Sequence, residues 1–222
     1  MSNILKSMVL VATLSMPGAV SAATLNSLAG GGTITVDDVT FSGFTFVDIA
    51  SIFGGVATDP GDIDVTGSST ATSVTLTYAF DPALTLDGEE IFEFDSQFTA
   101  TVAGASSRLI NSISIGLADY SRSGDSFVEI GSNTPSMLVY GEMTSEVLTR
   151  SASVSPTSNV TFNFFSLGET LDAAARAGLS RFTITLGLAS GLPPAVPLPA
   201  SLPLLLGGVG LMGLLSRRKR AA

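Results

Sequence analysis

Along most of the chain's interior, apolar and polar residues alternate with a period of two. Val74, Leu76 and Tyr78 are interleaved with Thr75 and Thr77; Ile113 and Ile115 with Ser114; Phe182, Ile184 and Leu186 with Thr183 and Thr185. Successive side chains of an extended strand point to opposite faces, so this pattern sends the apolar set to a core and the hydroxyl set to water. Segments of this kind at 33–36, 44–47, 73–80, 91–102, 110–118, 127–130, 137–148, 160–165 and 181–189 are predicted strands, separated by Gly, Asn, Asp and Ser. Short antiparallel strands at this spacing predict an all-β fold, a two-sheet β-sandwich of jelly-roll-like type.

One helix is expected to interrupt them. Ser166-Leu167-Gly168-Glu169 has the spacing of a capping box, an alanine-rich run follows over 170–177, and Gly178 is placed to stop it. A further short turn of helix is expected at 25–29, ended by Gly30-Gly31-Gly32.

Both ends depart from the alternation. The first 23 residues carry Lys6, an apolar run over 8–14, a break at Pro17-Gly18 and then small residues, the three-part layout of a secretory signal. Val20-Ser21-Ala22 offers the small side chains signal peptidase requires, so cleavage is expected after Ala22 or Ala23. The other end has a Pro-rich entry, an apolar run over 202–215 and the basic cluster Arg217-Arg218-Lys219-Arg220. As a helix, residues 196–215 reach about 30 Å, the thickness of a bilayer's hydrocarbon layer. The basic cluster then stays on the cytoplasmic side and everything before it lies across the inner membrane. The expected division is a signal peptide at 1–23, an acidic β-domain at 24–191, and a Pro-rich motif, transmembrane helix and basic tail at 192–222.

Val196-Pro197-Leu198-Pro199-Ala200, followed by the apolar run and the four basic residues, resembles the VPLPA-CTERM variant of the PEP-CTERM sorting signals of Gram-negative bacteria. The resemblance implies recognition by an exosortase, a membrane-embedded cysteine transpeptidase that cuts near the motif and releases or re-attaches its cargo, usually in species that make exopolysaccharide. Leu198 stands where the commoner form has glutamate, which implies a variant sorting enzyme. The opening TLNSLAGGGTITVDDVTFSGFTF is loosely similar to the start of other cargo proteins of this class.

Charge narrows the partners. All 19 acidic residues lie between Asp37 and Asp172, against five arginines in the segment between the two ends, a formal charge of −14. Such a surface repels phosphate backbones, so nucleic acid is not an expected partner. With no histidine and no cysteine, neither Ser-His-Asp nor Cys-His nucleophile systems can be built, nor imidazole or thiolate zinc sites. The interior also has no lysine, which removes Schiff-base chemistry.

What chemistry remains is carboxylate chemistry. Glu89 with Glu90, and Glu93 with Asp95, are the pairs a glycosidase would use, but the second reads first as the wet face of a strand whose Phe92 and Phe94 face inward. The absence of tryptophan also weighs against tight sugar binding. In Thr58-Asp59-Pro60-Gly61-Asp62-Ile63-Asp64, the carboxylates of Asp59, Asp62 and Asp64 are spaced to offer a hard cation such as Ca²⁺ a partial shell; the spacing is not that of an EF-hand. No other cofactor is expected.

The expectation is therefore a non-catalytic exported protein that meets signal peptidase, an exosortase-like enzyme, the inner membrane before processing, and exopolysaccharide. The alternative expectation is a secreted glycan- or protein-binding module of lectin-like sandwich type, calcium-dependent if the acidic loop holds metal.

Overall fold

The computed structural model describes residues 22–190 apart from 54, 143 and 144. The elements in chain order are β1 (Ala22–Thr24), α1 (Leu25–Ala29), β2 (Ile34–Val36), β3 (Val39–Asp48), β4 (Ile63–Ser69), β5 (Ser73–Asp87), β6 (Ile91–Val102) and β7 (Arg108–Ser123). They continue with β8 (Ser126–Asn133), β9 (Ser136–Gly141), β10 (Glu146–Val147), β11 (Thr149–Thr157), β12 (Asn159–Thr170) and β13 (Arg176–Ser190). Two 3₁₀ turns, Ala50–Phe53 and Pro60–Asp62, lie between β3 and β4.

All pairings are antiparallel, and they form two sheets. Sheet A has the order β1-β4-β5-β13-β7-β11, and sheet B the order β10-β9-β8-β12-β6-β3-β2. The alternation read from the sequence decides which face each strand buries. In β5, Val74, Leu76 and Tyr78 are fully buried, and in β13 so are Phe182 and Leu186, while Thr75 and Thr185 meet on the outer face with hydroxyls 2.9 Å apart. Burying a large apolar side chain stabilises by roughly 1.5–3 kcal/mol.

Inward side chains of both sheets fill one core. A string of rings runs across sheet B through Phe41, Phe98, Phe162 and Phe164, and Phe164 meets Tyr78 of sheet A edge-on with centroids 5.3 Å apart. Tyr78 in turn stacks on Phe182 at 4.6 Å, with planes 4° from parallel. The two sheets are thus a sandwich held by interleaved aromatics, with no disulfide available to help.

The helix expected after Ser166 is not there. Ser166-Leu167-Gly168-Glu169 continues β12, which lies between β8 and β6 and has both edges paired. Ser166, Gly168 and Thr170 carry on the inward positions of Phe162 and Phe164, a period of two that the capping-box spacing masks. The alanines at 173–175 make a tight turn, with Asp172 Oδ1 accepting from the Ala174 backbone N–H at 2.8 Å, and Gly178 sits inside β13. Five residues between two long strands cannot repay helix nucleation when the flanking backbone already has ladder partners. The helix at Leu25–Ala29 does form, capped by Thr24, whose side chain accepts from the Ser27 backbone N–H.

The sequence pattern also passes over three strands. β4 buries Ile63, Val65 and Gly67, so its third inward position shows no side chain; Val36 of β2 occupies that space from the opposite sheet. β11 is an edge strand with mostly exposed residues and Arg150 and Pro156 on it, features that discourage further pairing. β1 has only three residues and borrows its place from β4.

Candidate functional site

The residues expected to be processed lie at the margins of the described chain. Ala22 and Ala23 belong to β1, at the edge of sheet A, where they pair with Thr66 and Val65. Val196, Pro197, Leu198, Pro199 and Ala200, the apolar run and the basic cluster at 217–220 fall outside the described residues. No helix among the described residues is long and apolar enough to cross a membrane.

The acidic loop is organised by hydrogen bonds. Asp59 Oδ1 accepts from the Gly61 backbone N–H at 2.7 Å and caps the turn Pro60–Asp62. Asp59 and Asp62 border one shallow depression, whereas Asp64 is exposed on the outer face of β4 between buried Ile63 and Val65. Among the described residues, no group of three or more carboxylates is gathered closely enough to hold a metal ion.

The carboxylate pairs have equally local roles. Glu90 Oε2 accepts from the Asp87 backbone N–H at 2.8 Å and closes the turn between β5 and β6. Glu93 and Asp95 stand on the outer face of β6 while Phe92 and Phe94 are fully buried, as the alternation requires. Glu129 of β8 shares that face, and its carboxyl is pushed above the usual range by partial burial, then by the charges of Glu142 and Glu93.

The most site-like feature is elsewhere on the outer face of sheet B. The β8–β12 ladder runs from Ser126–Thr170 to Gly131–Phe165, after which β12 continues beside β6 with Asn163 opposite Gln97. Where β8 leaves β12, a cleft of about 170 Å³ opens, bordered by Thr45, Asp95, Gln97, Asn133, Asn163 and Phe165. Its floor is tied down from beneath: Ser96 Oγ donates to the Thr45 carbonyl at 2.7 Å, and Ser132 Oγ to the Pro135 carbonyl at 2.6 Å.

Phe165 forms one wall. It is half-buried because its ring covers Gly131, where any Cβ would collide with it; the missing side chain seats the ring against the sheet. Asn133, Asn163, Thr45 and Asp95 are exposed and Gln97 partly so. The arrangement places an aromatic surface beside three amides and one carboxylate, groups that donate to and accept from hydroxyls.

The strands that carry this cluster are legible in the sequence, but the cluster is not. Its residues come from β3, β6, β8 and β12, and the lateral order of strands leaves no periodic trace. A signal was present in Phe162-Asn163-Phe164-Phe165: an amide inside a strand and an aromatic on the wet face both break the Thr/Ser habit of the other strands.

Residues 195–220 match the PEP-CTERM protein-sorting motif. No curated protein matches the chain. Among solved structures, a low-affinity xylan-binding module, CBM86, from the gut symbiont Roseburia intestinalis is similar at 12% identity, covering 53% of this chain and 97% of that one, with a TM-score of 0.21. The sorting motif implies an exosortase substrate that is exported and passes through a membrane-anchored precursor. The structural likeness is too slight to bear on fold or ligand.

Proposed function

We propose that this is a non-catalytic surface or extracellular-matrix protein, exported through its signal peptide and handed over by a VPLPA-type sorting signal to an exosortase-like transpeptidase. The observation that carries the reading is the sorting motif at 195–220, with Val196-Pro197-Leu198-Pro199-Ala200 at its entry. The apolar run holds the precursor in the inner membrane, the basic cluster keeps its tip inside, and the sandwich waits outside for transfer. A matrix of exopolysaccharide is the destination that the resemblance to exosortase substrates implies.

Intact mass of the protein recovered from cells and medium tests this, in the parent strain and in one lacking the sorting enzyme. The expected result is a species shortened at both ends in the parent and one that keeps its C-terminal tail in the mutant. Identical masses and identical fractionation in the two strains would mean that the tail is a plain anchor.

A further inference from the structure

We propose that the cleft beside Phe165 is a binding site for an uncharged polysaccharide, with the Phe165 ring as its apolar platform and Asn163, Gln97, Asn133 and Asp95 as its hydroxyl-reading groups. The inference rests on the export reading in one respect: the domain meets polysaccharide only outside the cell.

A sugar ring has two chemistries to satisfy. Its C–H groups form an apolar face that packs on an aromatic ring, and its hydroxyls each donate and accept. Phe165 offers ring surface held in place by Gly131 behind it. The amides of Asn163, Gln97 and Asn133 each present a carbonyl acceptor and an N–H donor pair in one plane, a fork that matches neighbouring hydroxyls, and Asp95 accepts from two more. These groups come from three paired strands rather than from a mobile loop, so little conformational freedom remains to be lost on binding.

Charge selects among polysaccharides. Asp95 borders the cleft, Glu93 and Glu129 stand on the same face, and the interior of the chain carries a formal charge of −14, so uronate or sulfate polymers are repelled. The cleft is open to the sheet surface and of modest size, which suits a chain that continues past it and predicts weak affinity per site. A protein partner would instead use the apolar positions Val47 and Leu138, exposed at 49% and 39% on either side of Phe165, and would need no amides.

The test is affinity electrophoresis of the full chain in detergent through gels containing dextran, hydroxyethylcellulose, galactomannan or mixed-linkage β-glucan, with alginate as the anionic arm. The expected result is retardation in at least one neutral gel and none in alginate. Phe165→Ala and Asn163→Ala should each weaken retardation about tenfold, a loss of about 1.4 kcal/mol, while Leu171→Ala, just past the C-terminal end of β12, should leave it unchanged. Asn163 is exposed, so its variant keeps the test valid if Phe165→Ala melts early. No retardation in any neutral gel, retardation of both cleft variants equal to that of the unaltered protein, or stronger retardation in alginate overturns the proposal, as does loss of retardation in Val47→Ser or Leu138→Ser with the cleft variants unaffected. Because sorting is read by mass, a correctly sorted protein that runs freely sinks the cleft alone, and a retarded protein that is never sorted sinks the export reading alone.

Discussion

Arg108 on β7 holds Asp38, in the two-residue turn between β2 and β3, with its Nε donating to Asp38 Oδ2 at 2.9 Å. The pair ties sheet A to sheet B at one end of the sandwich. Ser106 donates to the same carboxylate, and the Ala103 backbone N–H donates to the Asp38 carbonyl at 2.7 Å. Asp37 takes the left-handed conformation that such a turn needs, at φ 56°, and Arg108 reaches it as well. The side chains of Arg108 and Asp38 are 20% and 19% exposed, so the pair is screened less than a surface contact.

Arg108→Gln should therefore destabilise the domain by about 1–3 kcal/mol at neutral pH, the scale of hydrogen bonds to a charged group. Burial by itself would raise the Asp38 carboxyl, but hydrogen bonds from Arg108 and Ser106 and the charge of Arg108 outweigh it and hold the group below the usual carboxylate range. A depressed carboxyl contributes stability that is full above the ordinary Asp range and lost as pH falls through its folded value. Urea unfolding of both proteins should show their difference shrinking on acidification into that window. A difference independent of pH would assign the effect to packing of the arginine stem.

Gly168 decides between helix and strand by the sign of one substitution. In the interior of a helix, Gly→Ala stabilises by about 0.5–1 kcal/mol. In β12 the position faces inward opposite Phe92, and a Cβ there would strike the Phe92 ring. Gly168→Ala should instead cost about 1–3 kcal/mol, the usual penalty of overpacking a filled core. Thermal melting of the variant reads the sign directly.

The same residue shows what was legible and what was not. Strands with strong Val/Ile/Phe alternation, such as those around Leu76, Ile115 and Ile184, are visible because burial on one face is a local requirement written every second residue. At Ser166, Gly168 and Thr170 the inward residues are small or polar, since Phe92 fills the space over Gly168, and the local motif then reads as a helix start. The cleft was illegible for a different reason: Gln97 and Asn163 become neighbours only through the pairing of β6 with β12, a long-range choice no window along the chain contains. The sorting signal is the reverse case. The motif is contiguous over residues 195–220, so sequence alone exposes it.

Asp59 is expected to act through its hydrogen bond to the Gly61 backbone N–H. Asp59→Ala should lower stability by about 0.5–1 kcal/mol, the lower part of the range for a lost cap, and by the same amount in chelator and in millimolar calcium. Differential scanning fluorimetry under both conditions measures this. A calcium-dependent rise in melting temperature that vanishes in the variant would give Asp59 a ligating role instead.

Glu129 lies between Tyr140 and Leu167 in sheet B, partly buried and on the same face as Glu93. Partial burial, with the nearby charges of Glu142 and Glu93, raises its carboxyl, so the charged form is a strain on the folded state. For a carboxyl raised above its unfolded value, the penalty is absent below the ordinary Glu range and complete once pH exceeds the folded value. Glu129→Gln keeps the shape and removes the charge, and should stabilise the domain at neutral pH by about 0.5 kcal/mol after allowance for solvent screening. The gain should fade as pH falls into the ordinary Glu range, where the native carboxyl is already neutral. Melting temperatures of both proteins across that interval provide the check, and a variant less stable at neutral pH would mean that the carboxylate has a partner whose loss outweighs the relieved repulsion.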